Sequence, residues 1–255
     1  MTDLNLWHIG IALVGSFIAG IINTLAGNGS AITLTILTEV MGLPGNLANG
    51  TNRVGILSQG LVSTYGFSKR KMIPFRDSLR YTIPAFIGAL IGVAVAVNIS
   101  SESFRLVFRY LMIGMLFVIL WNPSRWLKSD QELKPIPYIL AIPMFGLLGF
   151  YGGFIQMGMG IFLLGALVLI ARFDIISANG IKIFLVTAYT IVILLIFQWN
   201  GLVDWRVGLV FAVGQSLGAW SATKFAAENQ RSAVWAYRLL VVIVVVSILS
   251  LFDIF

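Results

Sequence analysis

The sequence predicts an all-α polytopic membrane protein made of two inverted repeats, each a glycine-broken helix hairpin followed by three transmembrane helices. Three observations lead to this fold class: apolar runs of membrane-spanning length, two glycine-rich interruptions, and motifs that recur in the same order. Of the 255 residues, 58% are hydrophobic and 11% are charged. Apolar stretches of about 20 residues recur along the chain, and a helix of that length crosses the hydrocarbon core of a bilayer.

The apolar runs do not alternate with polar residues as the strands of a membrane barrel would; 111–121 and 239–252 are examples. Apolar length, Gly, Pro and charge together predict helices near 5–26, 30–42, 46–66, 79–97, 104–121, 138–156, 160–171, 177–198, 205–225 and 232–252. Two of them, 30–42 and 160–171, are too short to cross a bilayer at 1.5 Å per residue. Each follows a glycine-rich break, so each is predicted to be the second arm of a hairpin.

A set of motifs repeats along the chain at a nearly constant spacing, which predicts an internal duplication. The matched sets are Gly15, Gly27 and Gly29 with Gly146, Gly158 and Gly160; Ala48-Asn49-Gly50 with Ala178-Asn179-Gly180; Gly88 and Gly92 with Gly214 and Gly218; and Arg109 with Arg238. We therefore interpret residues 1–255 as a single membrane domain, with repeat 1 at 1–121, a polar linker at 122–137 and repeat 2 at 138–255.

The distribution of basic residues predicts the orientation of the repeats. If the pairs 5–42 and 138–171 enter the membrane and return, most loop Lys and Arg fall on one side, and Arg105, Arg109 and Arg206 lie opposite. Basic loops face the cytoplasm, so the hairpin arrangement is favoured over single crossings. A hairpin plus three crossings is an odd number, and the second half is then inverted relative to the first. We expect a multi-pass protein of the bacterial inner membrane with both termini outside the cytoplasm.

Composition excludes several function classes. The net charge of +7 does not indicate nucleic-acid binding, because the basic residues cluster beside apolar spans, as in 68–76. The chain has no cysteine and one histidine, His8, so we expect no metal site and no cofactor. An intramembrane enzyme would need a nucleophile with its base, or metal ligands, at membrane depth, and none is evident.

The two glycine breaks are candidate binding elements. Non-helical backbone at membrane depth is tolerated where it is buried in protein or lines a water-filled cavity, and a helix that starts there offers N–H groups and a positive dipole end to an anion. Close packing of small residues is the alternative explanation of these glycines. The candidates are Asn23, Thr24, Gly27, Asn28, Gly29 and Ser30 in the first break, and Gln156, Gly158 and Gly160 in the second.

The Ala-Asn-Gly triplets each open a helix that carries a cation, Arg53 in one half and Lys182 in the other. At 1.5 Å per residue each cation lies about 8 to 10 Å inside the membrane, where a charge is costly and suggests function. The alternative is that each side chain extends back to its own interface. If both face one cavity, its guest is a small oxyanion that can carry two charges. Neutral hydrogen bonds would come from Asn49, Thr51, Asn52 and Asn179.

Glu39 is a candidate proton-coupling carboxylate, since no acidic residue stands at the matching position of the second half. It lies close to "GLPG" (42–45), so contact with headgroup water is the alternative.

The chain resembles the sulfite exporter (TauE/SafE) family. The resemblance rests on "GSFIAGIINTLAGNGSAITLTIL" and "GLPGNLANGTN" in the first half, and on "GLLGFYGGFIQMGMGIFLL" and "ANGIKIF" in the second. It implies transport of sulfite and related sulfur-containing or organic anions, driven by an ion gradient. The family often shows Gly-Gly where this chain has Asn28-Gly29 and Met159-Gly160, so the resemblance does not identify the substrate.

Together these features predict a secondary transporter that moves a small sulfur-containing or organic anion by alternating access, with export coupled to an ion gradient. An anion channel and a non-transport membrane scaffold remain as alternatives. The expected partners are the small anionic substrate and the lipid bilayer, with no nucleic acid, and a homo-oligomer is left open.

Overall fold

The computed structural model describes residues 5–120 and 137–226, and every regular element in those two ranges is helical. The helices are α1 (Leu6–Leu25), α2 (Gly29–Thr35, continued by a π-helical turn at Ile36–Val40), α3 (Gly45–Lys69), α4 (Phe75–Asn98), α5 (Ser101–Leu120), α6 (Tyr138–Phe154), α7 (Met159–Leu169), α8 (Ile175–Trp199) and α9 (Trp205–Ala226). They match the predicted helices within a few residues. The predicted helix 232–252 and the linker 122–137, except Pro137, lie outside the described ranges.

Local sequence sets where the helices begin. The side chains of Asn5, Asp174 and Asp204 accept hydrogen bonds from backbone amides in the first turns of α1, α8 and α9. Those amides have no partner within the helix, so each cap stabilises its helix. Pro44 and Pro74 directly precede α3 and α4, where a proline needs no amide partner.

Left-handed backbone conformations recur at a constant spacing in the two halves. Three pairs of residues with positive φ are 130 or 131 positions apart: Gly27 (86°) with Gly158 (69°), Gly42 (65°) with Arg172 (61°), and Lys71 (58°) with Gly201 (68°). Each ends or follows a helix, as left-handed residues commonly do. The chain therefore turns in the same manner at matching points of both halves.

In each half the first helix and the short helix after the break lie side by side. A side chain at Gly29 would overlap the carbonyl of Ala19, while Gly15 lies against Ile36, so α2 runs back along α1. In the second half the rings of Tyr151 and Phe162 form an edge-to-face pair with centroids 5.9 Å apart, across the turn between α6 and α7. The first pair thus forms a hairpin, and in the second pair the two helices contact each other beside the break.

Helices of different halves pack through glycines. Gly88 and Gly92 of α4 lie against the backbone of Gly146 and Phe150 in α6, so these two helices run parallel. In the same way Gly214 and Gly218 of α9 lie against the backbone of Leu13 and Phe17 in α1, again in parallel. The two glycine pairs that match in the sequence therefore make matching contacts, each with the first helix of the other half. Small residues allow this approach of helix backbones.

The Ala-Asn-Gly helices α3 and α8 pack against each other in opposite directions. Gly50 near the start of α3 touches the carbonyl of Leu202 just beyond α8, and Gly180 near the start of α8 lies close to the carbonyl of Met72 just beyond α3. Midway along both helices, Gly60 contacts Thr187. Each helix thus begins where the other ends.

The surface of the helices suits a lipid environment. In the described part of the chain, α1, α4 and α8 are long and apolar enough to cross a membrane. Apolar side chains at every fourth position of α4 are exposed: Leu79, Ile83, Ile87, Ile91 and Val95. A soluble protein rarely exposes such a continuous apolar stripe. By contrast α3 directs a row of polar side chains inward: Asn49, Thr51, Asn52, Arg53, Gln59 and Ser63 are buried.

Candidate functional site

Arg53 lies inside the protein and binds the C-terminal end of α6. Its Nη1 donates to the carbonyl of Gly152 at 2.9 Å and its Nη2 to that of Gly153 at 3.1 Å. One turn earlier on α3, the Nδ2 of Asn49 donates to the carbonyl of Phe154 at 2.7 Å. The last carbonyls of a helix have no partner within it and carry a partial negative charge, which a cation stabilises.

Lys182 makes the equivalent contact with the C-terminal end of α1. Its Nζ lies 3.3 Å from the carbonyl oxygen of Asn23 and 3.5 Å from that of Thr24, and donates to both. The Nδ2 of Asn179, one turn earlier on α8, donates to the carbonyl of Thr24 at 3.2 Å. The Asn and the cation that follows it therefore have the same task in both halves: each pair holds the broken helix of the other half.

For Arg53 these contacts differ from both sequence-based interpretations, whereas Lys182 also lines the cavity described below. Neither side chain extends to the interface, since Arg53 is 0% and Lys182 is 2% exposed. Arg53 does not line the cavity described below, because the carbonyl groups of α6 occupy its guanidinium. The face of the guanidinium is covered by Phe197, whose ring centroid lies 5.8 Å from Cζ.

The two glycine breaks touch each other. The amide of Gly160 donates to the carbonyl of Gly27 at 3.0 Å. The amides of Met159 and Ile161, at the start of α7, donate to the carbonyls of Gln156 and Gly158. The sequence predicts free N–H groups here, and for α7 the structure corrects that expectation: the glycine turns fold so that these amides find backbone acceptors.

A small cavity lies beside this contact. Its volume is about 20 Å³, about the space that one water molecule needs. Its polar side chains come from three helices and the second break: Asn23, Gln59, Gln156 and Lys182. Apolar side chains of Ile56, Met159, Ile183 and Val186 complete the wall, with Gly60 and Gly160. An amphipathic cavity with a few convergent polar groups is the usual form of a small-molecule site.

Arg53 acts on the cavity through Gln156. Its Nη1 donates to Oε1 of Gln156. Because a guanidinium has donors only, the amide of Gln156 must direct its oxygen toward Arg53, and its Nε2 group is left to donate elsewhere. The residue is in a left-handed conformation, with φ of 61°, which brings it to this position beside the break. The cavity therefore has an ammonium group from Lys182 and an amide donor from Gln156.

The remaining predicted residues hold the helices together around the breaks. Thr24 bonds to Ser63 of α3 through their hydroxyl groups at 3.2 Å. The hydroxyl of Thr33 donates to Oδ1 of Asn52 at 2.6 Å, and Thr51 accepts from the amide of Asp204 at 2.9 Å. The structure thus brings Asn23, Gln156, Gly160 and Lys182 together at the cavity, while Thr51 and Asn52 bind neighbouring helices.

Asn28, Gly29 and Ser30 lie buried at the start of α2. Gly29 lies against the carbonyl of Ala19, and the carbonyl of Ser30 accepts from Thr33. Neither atom of the Asn28 amide has a hydrogen-bond partner among the described residues, although the side chain is fully buried. Buried polar groups are nearly always paired. A water molecule or a change of conformation would therefore provide the Asn28 amide with a hydrogen-bond partner.

Glu39 lies away from the two glycine breaks, and its carboxylate pairs with a cation. Both oxygens of its carboxylate accept from Nη2 of Arg105 in α5 at 3.0 Å. The Arg105 side chain is 49% exposed, so the pair lies at the surface end of the α2 hairpin.

Two buried positions at or near the candidate site were missed by the sequence interpretation. Gln59 lines the cavity, and its Oε1 has no partner in the described part of the chain. Tyr189 is fully buried on α8, with its hydroxyl close to Gly152. Gln59 could have been found from the spacing of polar residues on α3, where Asn49, Arg53, Gln59 and Ser63 lie four or six positions apart and share one face of the helix.

Comparison with known proteins decides the family. Residues 12–251 match the family described as sulfite exporter TauE/SafE. The chain belongs to the sulfite exporter TauE/SafE family. It is 27% identical over 227 residues to a Sinorhizobium protein named probable membrane transporter protein ORF9, covering 89% of this chain and 86% of the relative. A Haemophilus influenzae probable membrane transporter protein is 26% identical, covering 85% of this chain and 84% of its own length. Escherichia coli YfcA, also named a probable membrane transporter protein, is 27% identical over 83% of this chain and 78% of its own length.

Proposed function

We propose that this TauE/SafE family protein is a secondary transporter that moves a small sulfur-containing or organic anion, such as sulfite or a sulfonate, across the bacterial inner membrane. The observation that carries the proposal is the cavity where the two glycine breaks meet, with the Lys182 ammonium and the Gln156 amide in its wall. Family membership and the names of the relatives support transport as the activity.

The charge of the cavity supports a monovalent anion. Among the described residues, Lys182 is the one charged side chain in its wall, while Arg53 is bound to the end of α6. A second negative charge in the same space would lack a direct cationic partner and would be costly at low dielectric. We therefore favour hydrogen sulfite or a sulfonate over a divalent oxyanion. The apolar side of the wall suits the carbon substituent of a sulfonate.

Alternating access would follow from an inverted arrangement of the two halves. The opposed directions of α3 and α8 support such an arrangement, and the parallel packing of α1 with α9 and of α4 with α6 is compatible with it. Reciprocal contacts then provide two related states, because each half holds the broken helix of the other. Movement of one half against the other would open the cavity first to one side and then to the opposite side.

The test is substrate counterflow in proteoliposomes that contain the purified protein. Vesicles loaded with unlabelled methanesulfonate or sulfite should take up the ³⁵S-labelled anion, with a rate that saturates as the outside concentration rises. Protein-free vesicles are the control. An ohmic anion current across planar bilayers, without saturation or counterflow, would instead identify an anion channel. If neither flux nor current is observed, a membrane scaffold remains as the function.

A further inference from the structure

The two cations that hold the broken helices differ in chemistry. Arg53 and Lys182 make matching contacts, but a guanidinium keeps its proton under all physiological conditions, whereas a buried lysine amine can lose it. Arg53 is therefore a permanent charge at the end of α6. Lys182, which lines the cavity, can exist in two protonation states.

The hydrogen bonds of Lys182 suit both states. A neutral amine has two N–H groups, and Nζ has two carbonyl acceptors in the end of α1, those of Asn23 and Thr24. The protonated ammonium has a third N–H group, which is available to an anion in the cavity. Proton binding at Nζ therefore creates both the charge and the donor that an anion needs.

Few ionisable groups surround Lys182. The residues of α1 and α3 that share its cavity, Asn23 and Gln59, are neutral, and α7 carries no ionisable side chain. The Arg53 guanidinium is linked to the cavity through Gln156, and the Tyr189 hydroxyl lies two turns further along α8 at Gly152. On α4, which also packs against α8, the charged side chains of the first turns are exposed (Arg76, Asp77 and Arg80), and the buried Tyr81 packs against Phe145 and Phe173.

No carboxylate of the described residues lies in the cavity wall, so a proton that travels with the substrate needs another carrier. Glu39 binds Arg105 at the surface end of its hairpin. Asp174 and Asp204 cap the starts of α8 and α9. Within the described ranges, Lys182 is the one residue that combines a titratable group with a place in the wall.

We propose that Lys182 carries the proton that couples anion movement to the proton gradient, an inference that rests on the transport function proposed above. The lone pair of Nζ takes a proton from the side on which the anion enters, and the ammonium binds the anion. After the rearrangement the anion leaves, and the proton passes to water on the other side. The neutral amine then keeps its bonds to the α1 carbonyls. One proton moves with one monovalent anion, so no net charge crosses, and a proton gradient that is acid outside favours uptake of the anion.

The experiment uses methanesulfonate, which is the anion of a strong acid and cannot carry the proton itself. A proton gradient of about one pH unit, acid outside, should drive its accumulation in proteoliposomes of the wild-type protein up to about tenfold, since one pH unit corresponds to a factor of ten. Lys182→Arg keeps the charge and fixes the proton. Methanesulfonate flux through this variant, at whatever rate remains, should be independent of the pH gradient, and accumulation should be lost. Lys69→Arg, the same change at the end of α3, should accumulate methanesulfonate like wild type.

Several outcomes overturn the proposal. Undiminished accumulation of methanesulfonate by Lys182→Arg would refute the role of Lys182. If Glu39→Gln in addition loses accumulation, the coupling is assigned to Glu39. If Lys182→Arg does not fold or shows no counterflow, a pH dye trapped inside wild-type vesicles decides: methanesulfonate influx must acidify the interior, and influx without acidification refutes the coupling. Absence of wild-type counterflow with every tested anion would refute the transport function itself.

Discussion

The amide of Gly160 donates a hydrogen bond to the carbonyl of Gly27 at 3.0 Å, so the backbone breaks of the two halves are in direct contact. A Cβ atom at Gly27 would lie 2.5 Å from the carbonyl carbon of Gly160. Since the cavity wall includes Gly160, this contact connects the packing of the two halves to the geometry of the candidate site.

Replacing Gly27 by valine should disrupt both the fold and the site. Gly27 has φ of 86°, which a branched side chain adopts at a cost of about 1–3 kcal/mol, and the overlap with Gly160 adds to it. We expect a lower melting temperature in detergent and no anion counterflow. Gly10→Val is the matched control, because a Cβ at Gly10 meets no atom within 4 Å. Equal behaviour of the two variants would show that the contact between the breaks is dispensable.

Arg53→Met should reduce stability. The variant removes the donors for the carbonyls of Gly152 and Gly153 in a buried place, and unsatisfied buried polar groups cost about 1–3 kcal/mol each. Its free energy of unfolding in detergent should fall by about 3 kcal/mol, whereas Arg76→Met, at an exposed position, should leave it nearly unchanged. Normal stability with lost anion binding would instead assign Arg53 to the substrate.

Lys182→Met should affect binding more than folding, because Asn179 still donates to the carbonyl of Thr24. The wild-type protein should be stabilised by sulfite or methanesulfonate, by about 2.7 kcal/mol at 100 times the Kd. The variant should fold but lose this stabilisation, measured as the shift of the melting temperature with anion concentration. Lys224→Met serves as the control for loss of one charge. An unchanged shift in Lys182→Met would remove Lys182 from the site.

Gln156→Glu should distinguish the two roles of the Gln156 side chain, which accepts a hydrogen bond through Oε1 and donates through Nε2. The carboxylate can still accept from Arg53, so folding should be retained, but the donor toward the cavity is lost and a negative charge is added. We expect the Kd for methanesulfonate to rise by about tenfold or more, equivalent to about 1.4 kcal/mol. Gln198→Glu is the control, since Gln198 is exposed and also accepts one hydrogen bond, from Trp205. Unaltered affinity in Gln156→Glu would contradict the proposed role of Nε2.

Cysteine labelling tests the orientation of the halves. The chain has no native cysteine, so single cysteines can be placed freely. Cysteines near residues 71, 128 and 228 should react with a membrane-impermeant reagent from the cytoplasmic side, and one at residue 201 from the opposite side. The reversed pattern, or labelling of 71 and 201 from the same side, would refute the inverted arrangement.

Most of the helices could be predicted from sequence because their limits depend on local properties. Apolar length, capping side chains and left-handed residues act within a few positions, and they place the ends of α6 and α9 within two residues of the prediction. The glycine breaks at Gly27 and Gly158 could be predicted for the same reason, since the glycines that interrupt a helix are visible in the local sequence.

The partners of the polar residues could not be predicted in this way. The sequence indicates that Arg53 and Lys182 lie at membrane depth, and a buried charge there must be satisfied. Whether carbonyl groups, an anion or headgroup water satisfies it depends on which helix end lies beside each residue. Gln59 was missed for the same reason. A single amide on a long helix cannot be recognised as part of a site until the neighbouring break is known to form a cavity beside it.

The sequence by itself determined that the chain is a helical membrane protein with two matching breaks and a cation behind each Ala-Asn-Gly triplet. Only the tertiary structure decided that each cation holds the broken helix of the other half, that Lys182 lines the cavity, and that Arg53 reaches it through Gln156. The physical reason is distance along the chain: about 100 residues separate Arg53 from the carbonyls it binds, and about 160 separate Lys182 from its own. Hydrophobic periodicity and capping signals act over one or two turns, so contacts at that separation are set by the packing of the two halves.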